Sequence, residues 1–292
     1  MKRRATLVPV LTALLALGAT TLQVQPPIEE GSTRFAVLGD TGTGDDPQYE
    51  VAERLVESRE IFPFDFAIML GDNMYGSEDA DDYREKFEVP YGPLLDAGVE
   101  FYASLGNHDE LNQRFYEPFN MSGERYYTFR KGPIRFFALD SNYMDPEQLA
   151  WFESELRRSN DRWKIAFFHH PLYSPGTKHG SEEDLRELVE PLMLQYGLDV
   201  VFAGHEHFYA RLKPQHGIFH FVAGASAKLR RGDIRPSELT VTGNDQDRSF
   251  MLIEVFDDNL RFQTILRTGA RVDAGVLPRP AEPERELTAG DP

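Results

Sequence analysis

Residues 66–75 read FAIMLGDNMY, and this stretch decides how the rest of the chain is interpreted. Five apolar residues are followed at once by a glycine, a carboxylate, an amide and, two residues later, a phenol. A short apolar run bounded by turn residues predicts a buried strand, here residues 66–70. The polar groups that follow then lie at the carboxyl end of that strand, which is the edge where open α/β sheets bind ligands.

The same arrangement recurs at four other places in the chain. Each motif begins where an apolar run stops, and the four are Gly39-Asp40-Thr41-Gly42, Gly106-Asn107-His108-Asp109, His169-His170-Pro171 and Gly204-His205-Glu206-His207. A single Gly-Asp or Gly-Asn pair is ordinary turn chemistry, and a loop histidine usually only makes a hydrogen bond. Five such motifs, all at strand exits, indicate one shared site.

Alternating strands and helices predict an α/β architecture. Six apolar runs predict buried strands at residues 35–38, 66–70, 101–105, 134–139, 165–168 and 200–203. Helical patterns fall between some of them, at residues 48–58, 146–158 and 182–196, the last bent at Pro191. Later strands at residues 220–223, 250–256 and 260–266 have few helices between them and predict a second sheet packed on the first.

Charge and cysteine content narrow the function. With 31 basic and 48 acidic residues the formal charge is −17, so nucleic acid and anionic lipid are poor partners. Bound metal ions can reverse the potential inside a cleft, so a small anionic substrate stays compatible with this charge. The chain has no cysteine, which excludes disulfides, thiolate metal sites and a cysteine nucleophile.

The two ends of the chain differ from its centre. Residues 1–19 predict a signal peptide, because Lys2, Arg3 and Arg4 precede an apolar stretch and Ala16-Leu17-Gly18 suits cleavage. An uncleaved anchor is the alternative, although the stretch is shorter than the roughly 20 residues of a membrane span. We expect residues 20–31 to be a linker and residues 278–292 a disordered tail. We expect the mature protein to be periplasmic or secreted, to have no stable membrane association and to be a monomer.

The five motifs resemble the calcineurin-like metallophosphoesterase superfamily, and within it the purple acid phosphatases. Many superfamily members carry Asp-x-His in the first motif, but here that position is Gly42, and Tyr75 follows Asp72 by three residues. The absence of that histidine together with the presence of Tyr75 resembles the purple acid phosphatase pattern. The spacing from His169 through His179 resembles the small tartrate-resistant type. The resemblance implies a four-layer α/β/β/α sandwich of two packed mixed sheets, formed by a metallophosphoesterase domain over residues 32–277.

The resemblance also implies a centre of two metal ions that share one carboxylate. The residues that would hold Fe(III) are Asp40, Asp72, Tyr75 and His207. The residues that would hold a divalent Fe, Zn or Mn ion are Asp72, Asn107, His169 and His205. His169 is preferred to His170 because Pro171 sets the register of the family's His-x-Pro pattern. His170 is then a neighbour that either lines the pocket or, in the preferred interpretation, is buried.

Three further residues are implied on the substrate side. His108 would bind the phosphate and protonate the leaving alkoxide, Asp109 would orient the His108 imidazole, and His179 would be a second substrate-side histidine. The acidic run at residues 78–82 could bind Ca²⁺ or repel polyanions, but a solvated helix start is the preferred interpretation.

The expected activity is hydrolysis of a small phosphate monoester, with a metal-bound hydroxide attacking phosphorus. A phosphodiesterase or nucleotide hydrolase with the same metals is the main alternative. Two others stay open: a catalytically idle metal-binding envelope protein, and redox chemistry at the iron.

Overall fold

The computed structural model describes residues 22–279, which form two stacked mixed sheets. The six strands of the first sheet lie in the order β13-β12-β11-β1-β2-β3. They are β1 (Thr33–Leu38), β2 (Phe66–Leu70), β3 (Glu100–Ser104), β11 (Ser249–Phe256), β12 (Asn259–Leu266) and β13 (Arg271–Pro278). Strands β1, β2 and β3 are parallel, whereas β11 pairs antiparallel with β1.

The second sheet has seven strands in the order β10-β8-β9-β7-β6-β5-β4. They are β4 (Tyr127–Lys131), β5 (Ile134–Ala138), β6 (Trp163–Phe168), β7 (Val200–Ala203), β8 (Tyr209–Leu212), β9 (Phe219–Ala223) and β10 (Thr240–Asn244). Strands β5, β6, β7 and β9 are parallel, so β6 and β7 deliver their carboxyl ends to one edge.

Helices cover the outer face of each sheet. They are α1 (Asp46–Ile61), α2 (Ala80–Tyr83), α3 (Val89–Asp96), α4 (Pro146–Arg158) and α5 (Glu183–Gln195). A π-helical turn (Arg84–Glu88) separates α2 from α3. Asp145 caps α4 by accepting a hydrogen bond from the Gln148 backbone N–H at 2.8 Å, the arrangement expected before a proline at the first helical position.

Three apolar cores alternate with the two sheets. Along β1, Phe35 and Val37 face the core between the sheets, while Ala36 and Leu38 face the core under α1 and α3. A third core lies between the second sheet and helices α4 and α5. Because both faces of the central strands are buried, their sequences are apolar throughout instead of alternating. The predicted four-layer α/β/β/α sandwich is confirmed.

The predicted division of strands between the sheets is wrong. Strands β5, β6 and β7 were expected beside β1 and β2 but belong to the second sheet, and β11 and β12 lie in the first sheet with β1. The apolar sequence of a strand indicates that the strand is buried, but it does not indicate which strand it pairs with. The expected helix start in the acidic run is present, because Asp79 and Asp82 form a capping box at the start of α2.

The chain segment before β1 is tied to the first sheet. Within the described part of the predicted linker, the Ile28 and Glu29 backbone N–H groups donate to the Glu254 carboxylate at 2.9 and 3.0 Å. Arg261 donates to the Pro26 carbonyl oxygen at 2.6 Å. Residues 1–19 and most of the predicted tail lie outside the described residues. Among residues 22–279, no helix is long and apolar enough to cross a membrane.

Candidate metal centre

Three of the predicted ligands adopt a left-handed backbone conformation directly after a strand. Asp40 (φ 57°) follows β1, Asp72 (φ 51°) follows β2 and His205 (φ 66°) follows β7. This region costs L-residues of this kind about 1 kcal/mol or more each, and such strain concentrates at functional sites. The turn directs all three side chains into one crevice at the edges of the two sheets.

Glycines allow the crevice to close around these side chains. A Cβ atom on Gly106 would lie 2.2 Å from the Asp72 Oδ1 atom, and one on Gly204 would lie 2.7 Å from the Asp40 Oδ2 atom. Neither position has room for any other residue, which explains why a glycine precedes Asn107 and His205 in their motifs.

The first half of the site surrounds the phenol of Tyr75. Its Oη atom donates to Asp72 Oδ2 at 2.7 Å, lies 3.2 Å from Asp40 Oδ1 and lies 3.5 Å from His207 Nε2. His207 Nε2 is 3.4 Å from Asp40 Oδ1. The structure therefore brings together the four side chains predicted to hold Fe(III), and Asp40, Asp72 and His207 form a group that could hold an ion.

The second half of the site is built from imidazoles and an amide. Asn107 Oδ1 lies 3.0 Å from both His169 Nε2 and His205 Nδ1, and these two nitrogens are 3.1 Å apart. His169 Nδ1 donates to the Leu70 carbonyl oxygen at 2.9 Å, which leaves its Nε2 atom free as a ligand. His169 Nε2 is also 3.4 Å from Asp72 Oδ1, so Asp72 faces both halves.

The electrostatics of this cluster favour a bound cation. Burial lowers the pKa of His205 to about 2 and that of His207 to about 4, so both imidazoles are neutral and able to act as ligands at neutral pH. Burial and the neighbouring Asp72 raise the pKa of Asp40 well above its usual range. Burial, Asp40 and Asp72 also raise the pKa of the Tyr75 phenol. Bound cations of high charge would instead lower the pKa values of Asp40 and Tyr75.

The donor set itself fits a pair of such ions. Carboxylate, phenolate, amide oxygen and imidazole are the ligands that Fe, Mn and Zn accept. Possible ligand atoms lie 3.0–3.5 Å apart in both halves, with Tyr75 Oη beside His207 Nε2 and Asn107 Oδ1 beside two imidazole nitrogens. A metal ion between such atoms would replace these contacts by coordination.

His170 is placed differently from the expectation. It is half-buried, not buried, and it joins His169 and His205 in a group whose ligand atoms lie close enough to hold an ion. Its Nδ1 atom is hydrogen-bonded to the Ser141 hydroxyl at 2.9 Å, so only its Nε2 atom could act as a ligand. Asn107 reaches both other histidines at 3.0 Å, so we retain it in preference to His170 as the third ligand.

His108 and His179 flank the centre from opposite sides. Both are exposed, with the His108 ring 4.9 Å from the Tyr75 ring and the His179 ring 4.2 Å from the His205 ring. The His108 backbone N–H donates to Asp72 Oδ1 at 3.0 Å. The two imidazoles are thus free to meet a substrate from solvent.

Asp109 lies beside the site but is engaged elsewhere. Its carboxylate accepts hydrogen bonds from the Met74 and Gly106 backbone N–H groups at 2.9 and 2.7 Å and from Gln113 Nε2 at 2.6 Å. Burial, with Asp72 nearby, raises the pKa of Asp109 to about 8. These contacts join the Asp72 and Asn107 loops, and among the described residues no hydrogen bond links the Asp109 carboxylate to the His108 imidazole, whose predicted orientation by Asp109 stays a prediction.

Sequence reasoning missed Lys228. Its Nζ atom lies 4.2 Å from the centroid of the Tyr75 ring, and its backbone N–H donates to the Asp40 carbonyl oxygen at 3.2 Å. The signal was present, because residues 224–228 follow an apolar strand just as the other five motifs do. However, residues 224–228 contain no carboxylate or histidine, so the sequence alone does not indicate that Lys228 belongs to a site.

A cavity of about 920 Å³ opens against the second half of the site. Asn107 and His170, which belong to the second half of the site, line it together with Arg125. The acidic residues in the lining are Asp109, Asp140, Asp145 and Glu182. Arg125 is paired with Asp140 at 2.8 Å and with Asp145 at 2.7 Å, so its charge is already neutralised.

Comparison with known proteins agrees with this geometry. The family model for calcineurin-like phosphoesterases matches residues 33–209, and the chain belongs to this family. Purple acid phosphatase 17 of Arabidopsis thaliana is 28% identical over 73% of this chain and 74% of its own length. Tartrate-resistant acid phosphatase type 5 of Homo sapiens is 25% identical over 93% of this chain and 99% of its own.

Two solved structures share the fold. Purple acid phosphatase PPD1 from yellow lupin (Lupinus luteus) has a TM-score of 0.71 at 18% identity, covering 86% of this chain and 55% of that one. GAP50, described as the anchor in the inner membrane complex of Plasmodium, has a TM-score of 0.72 at 17% identity. The match covers 86% of this chain and 90% of that one. The chain spans just over half of the lupin enzyme. The predicted membership of the metallophosphoesterases is confirmed, the matched purple acid phosphatases agree with the predicted branch, and the protein is a metal-dependent phosphoesterase.

Proposed function

We propose that the protein hydrolyses phosphate monoesters at a centre of Fe(III) and a divalent Fe, Zn or Mn ion. The position of Asp72 carries this proposal. Its Oδ2 atom lies 2.7 Å from the Tyr75 phenol, and its Oδ1 atom lies 3.4 Å from His169 Nε2. The Asp72 carboxylate therefore faces both halves of the site, one with a phenol and the other with two imidazoles and an amide. Two different sets of ligands that share one carboxylate suit a pair of unlike metal ions.

Each residue at the mouth then has a defined task. When bound, the two ions would supply an activated water molecule and neutralise the phosphate. His108 lies at the open side next to Tyr75, where its imidazole can hold the phosphate and give a proton to the leaving alkoxide. His179 meets the substrate from the side of His205. Lys228 adds a positive charge beside the first half.

The lining of the cavity favours a monoester over a nucleoside polyphosphate. A substrate phosphate held at the metals would place its alcohol portion beside Asn107 and His170, in the cavity. The walls there carry Asp140, Asp145 and Glu182, and the guanidinium of Arg125 is already paired. Further phosphate groups would meet negative charge at short range, whereas a neutral alcohol would not.

We expect the fully metallated protein to hydrolyse p-nitrophenyl phosphate with a kcat/KM at least about tenfold above that for ATP or bis(p-nitrophenyl) phosphate. For ATP, a repulsion of about 1.4 kcal/mol between its further phosphates and the acidic wall supplies that factor. For the singly charged diester, the expectation rests on the similarity to acid phosphatases. Initial rates on the three substrates at constant ionic strength provide the measurement. A Glu182→Gln variant removes one wall charge, and we expect it to narrow the gap between monoester and ATP.

Two results would redirect the proposal. A preference for the diester would make the protein a phosphodiesterase with the same metals. No turnover of any ester, in protein shown to contain both metals, would support the catalytically idle alternative.

We also propose that the protein is exported. This rests on the composition of residues 1–19, which lie outside the described residues, and on no other feature. An exported enzyme of this class would meet small phosphorylated substrates outside the cytoplasm. N-terminal sequencing of the protein recovered from its source tests whether the chain is cleaved near Thr20.

A further inference from the structure

Glu206 lies between two predicted ligands, His205 and His207, and is fully buried. Its carboxylate does not face the metal centre. The Oε1 atom accepts hydrogen bonds from the Gly180 backbone N–H at 2.7 Å and the Ser174 hydroxyl at 3.0 Å. The Oε2 atom, which has no hydrogen-bond partner among the described residues, lies 3.7 Å from an Arg230 guanidinium nitrogen. Burying a carboxylate is costly unless it is paired and hydrogen-bonded, so these contacts indicate a specific purpose.

A second carboxylate holds the other part of the same loop. Asp233 Oδ1 accepts from the Thr177 and Lys178 backbone N–H groups at 3.2 and 3.0 Å. Its Oδ2 atom lies 3.2 Å from Arg230 Nη1, the same nitrogen that faces Glu206. Arg230 therefore joins two carboxylates that hold residues 174–180. Glu206 binds the two ends of this loop, at Ser174 and Gly180, and Asp233 binds its middle, at Thr177 and Lys178. Its backbone N–H also donates to the His207 carbonyl oxygen at 3.0 Å.

The gripped loop carries His179 over the second half of the metal centre. Thr177, Lys178 and His179 are exposed, so packing alone does little to fix them. Gly176 lies against the Glu206 carboxylate so closely that a Cβ atom would come within 2.0 Å of Oε1. The His179 ring consequently sits 4.2 Å from the His205 ring.

We propose that Glu206, Arg230 and Asp233 form a clamp that fixes the His179 loop against the metal-binding motif. These three are positioning residues: they touch neither the substrate nor the metals, and they set where His179 meets the phosphate. The kinetic consequence of the clamp rests on the proposed phosphatase function, but its structural consequence does not.

The test is a Glu206→Gln variant, which keeps the side-chain volume and removes the charge. We expect amide hydrogen exchange at Lys178 and Gly180 to accelerate by roughly tenfold or more, with metal content unchanged. Asp273→Asn is the matched control. Asp273 also pairs with an arginine, Arg211 at 2.8 Å, on strands away from this loop, and its substitution should leave loop exchange unaltered.

A double-mutant cycle supplies the kinetic readout. Glu206→Gln and His179→Ala should each raise KM for p-nitrophenyl phosphate, and the double variant should be no worse than His179→Ala alone, because both act through one imidazole. Additive effects would overturn the link between the clamp and His179.

Unchanged exchange in the loop would overturn the clamp itself. That result is independent of turnover, so it is distinguishable from failure of the proposed function. Should Glu206→Gln not fold, Asp233→Asn provides the same measurement at the Thr177 and Lys178 amides, because it removes the charge of their acceptor in the exposed middle of the loop. Slow, wild-type exchange there would equally contradict the proposal.

Discussion

Replacing Asp72 by asparagine should lower kcat/KM for a phosphate monoester by at least about 10³-fold. That factor corresponds to about 4 kcal/mol, which matches the several kcal/mol that metal coordination contributes to a phosphate transition state. The carboxylate contacts Tyr75 Oη at 2.7 Å and lies 3.4 Å from His169 Nε2, so its charge serves both halves of the centre. We expect at least one metal ion per chain to be lost.

Metal analysis of the purified variant, alongside the kinetics, measures both effects. Asp161→Asn is a suitable control, because Asp161 is also a buried carboxylate, paired with Arg135 at 3.1 Å on the second sheet. It should retain both metals and full activity. An Asp72→Asn variant that keeps two metals per chain and wild-type kcat/KM would refute the assignment of Asp72 as the shared ligand.

His108→Ala should lower kcat by about 10²–10⁴-fold while leaving metal content intact. The His108 side chain is exposed beside Tyr75 and lies among none of the ligand atoms, and only its backbone N–H contacts Asp72. The loss should be smaller for esters of acidic alcohols such as p-nitrophenol, because their leaving groups need less protonation than an alkyl alkoxide.

Steady-state rates with p-nitrophenyl phosphate and an alkyl phosphate distinguish the two contributions of His108. His216→Ala serves as the control, since His216 is an exposed histidine in the turn after β8 and should not matter. Equal losses on both substrates would leave His108 with phosphate binding alone. Unchanged kcat on both would remove it from the site.

The sequence permitted prediction of individual elements better than of their partners. Strand β7 (Val200–Ala203) and helix α4 (Pro146–Arg158) have the predicted bounds, because apolar runs and helix caps are local signals. Strands β10 (Thr240–Asn244) and β13 (Arg271–Pro278) were not predicted. Both are partly exposed and carry few large apolar residues. Helix α3 was not predicted either, because Pro90, Gly92 and Pro93 are residues that disfavour a helix.

The same distinction applies to the site. The predicted ligands converge because each follows a strand, and a polar residue after an apolar run is visible in the sequence. The left-handed backbone at Asp72 is not visible, and neither is the contact between Lys228 and Tyr75. The partners of Glu206 lie 26 and 32 residues away along the chain, so only the folded loops reveal its role.

The visible absorption spectrum of freshly purified protein, prepared without chelators beside a Tyr75→Phe variant, tests the central claim most directly. A phenolate bound to Fe(III) absorbs visible light by charge transfer, so the wild type should be violet or pink. The Tyr75→Phe variant, with its iron content measured, should be colourless, and a Tyr83→Phe control should keep the colour because Tyr83 packs on Tyr116, outside the centre. A colourless wild type containing stoichiometric iron, or a Tyr75→Phe variant that keeps the wild-type band, would contradict the account.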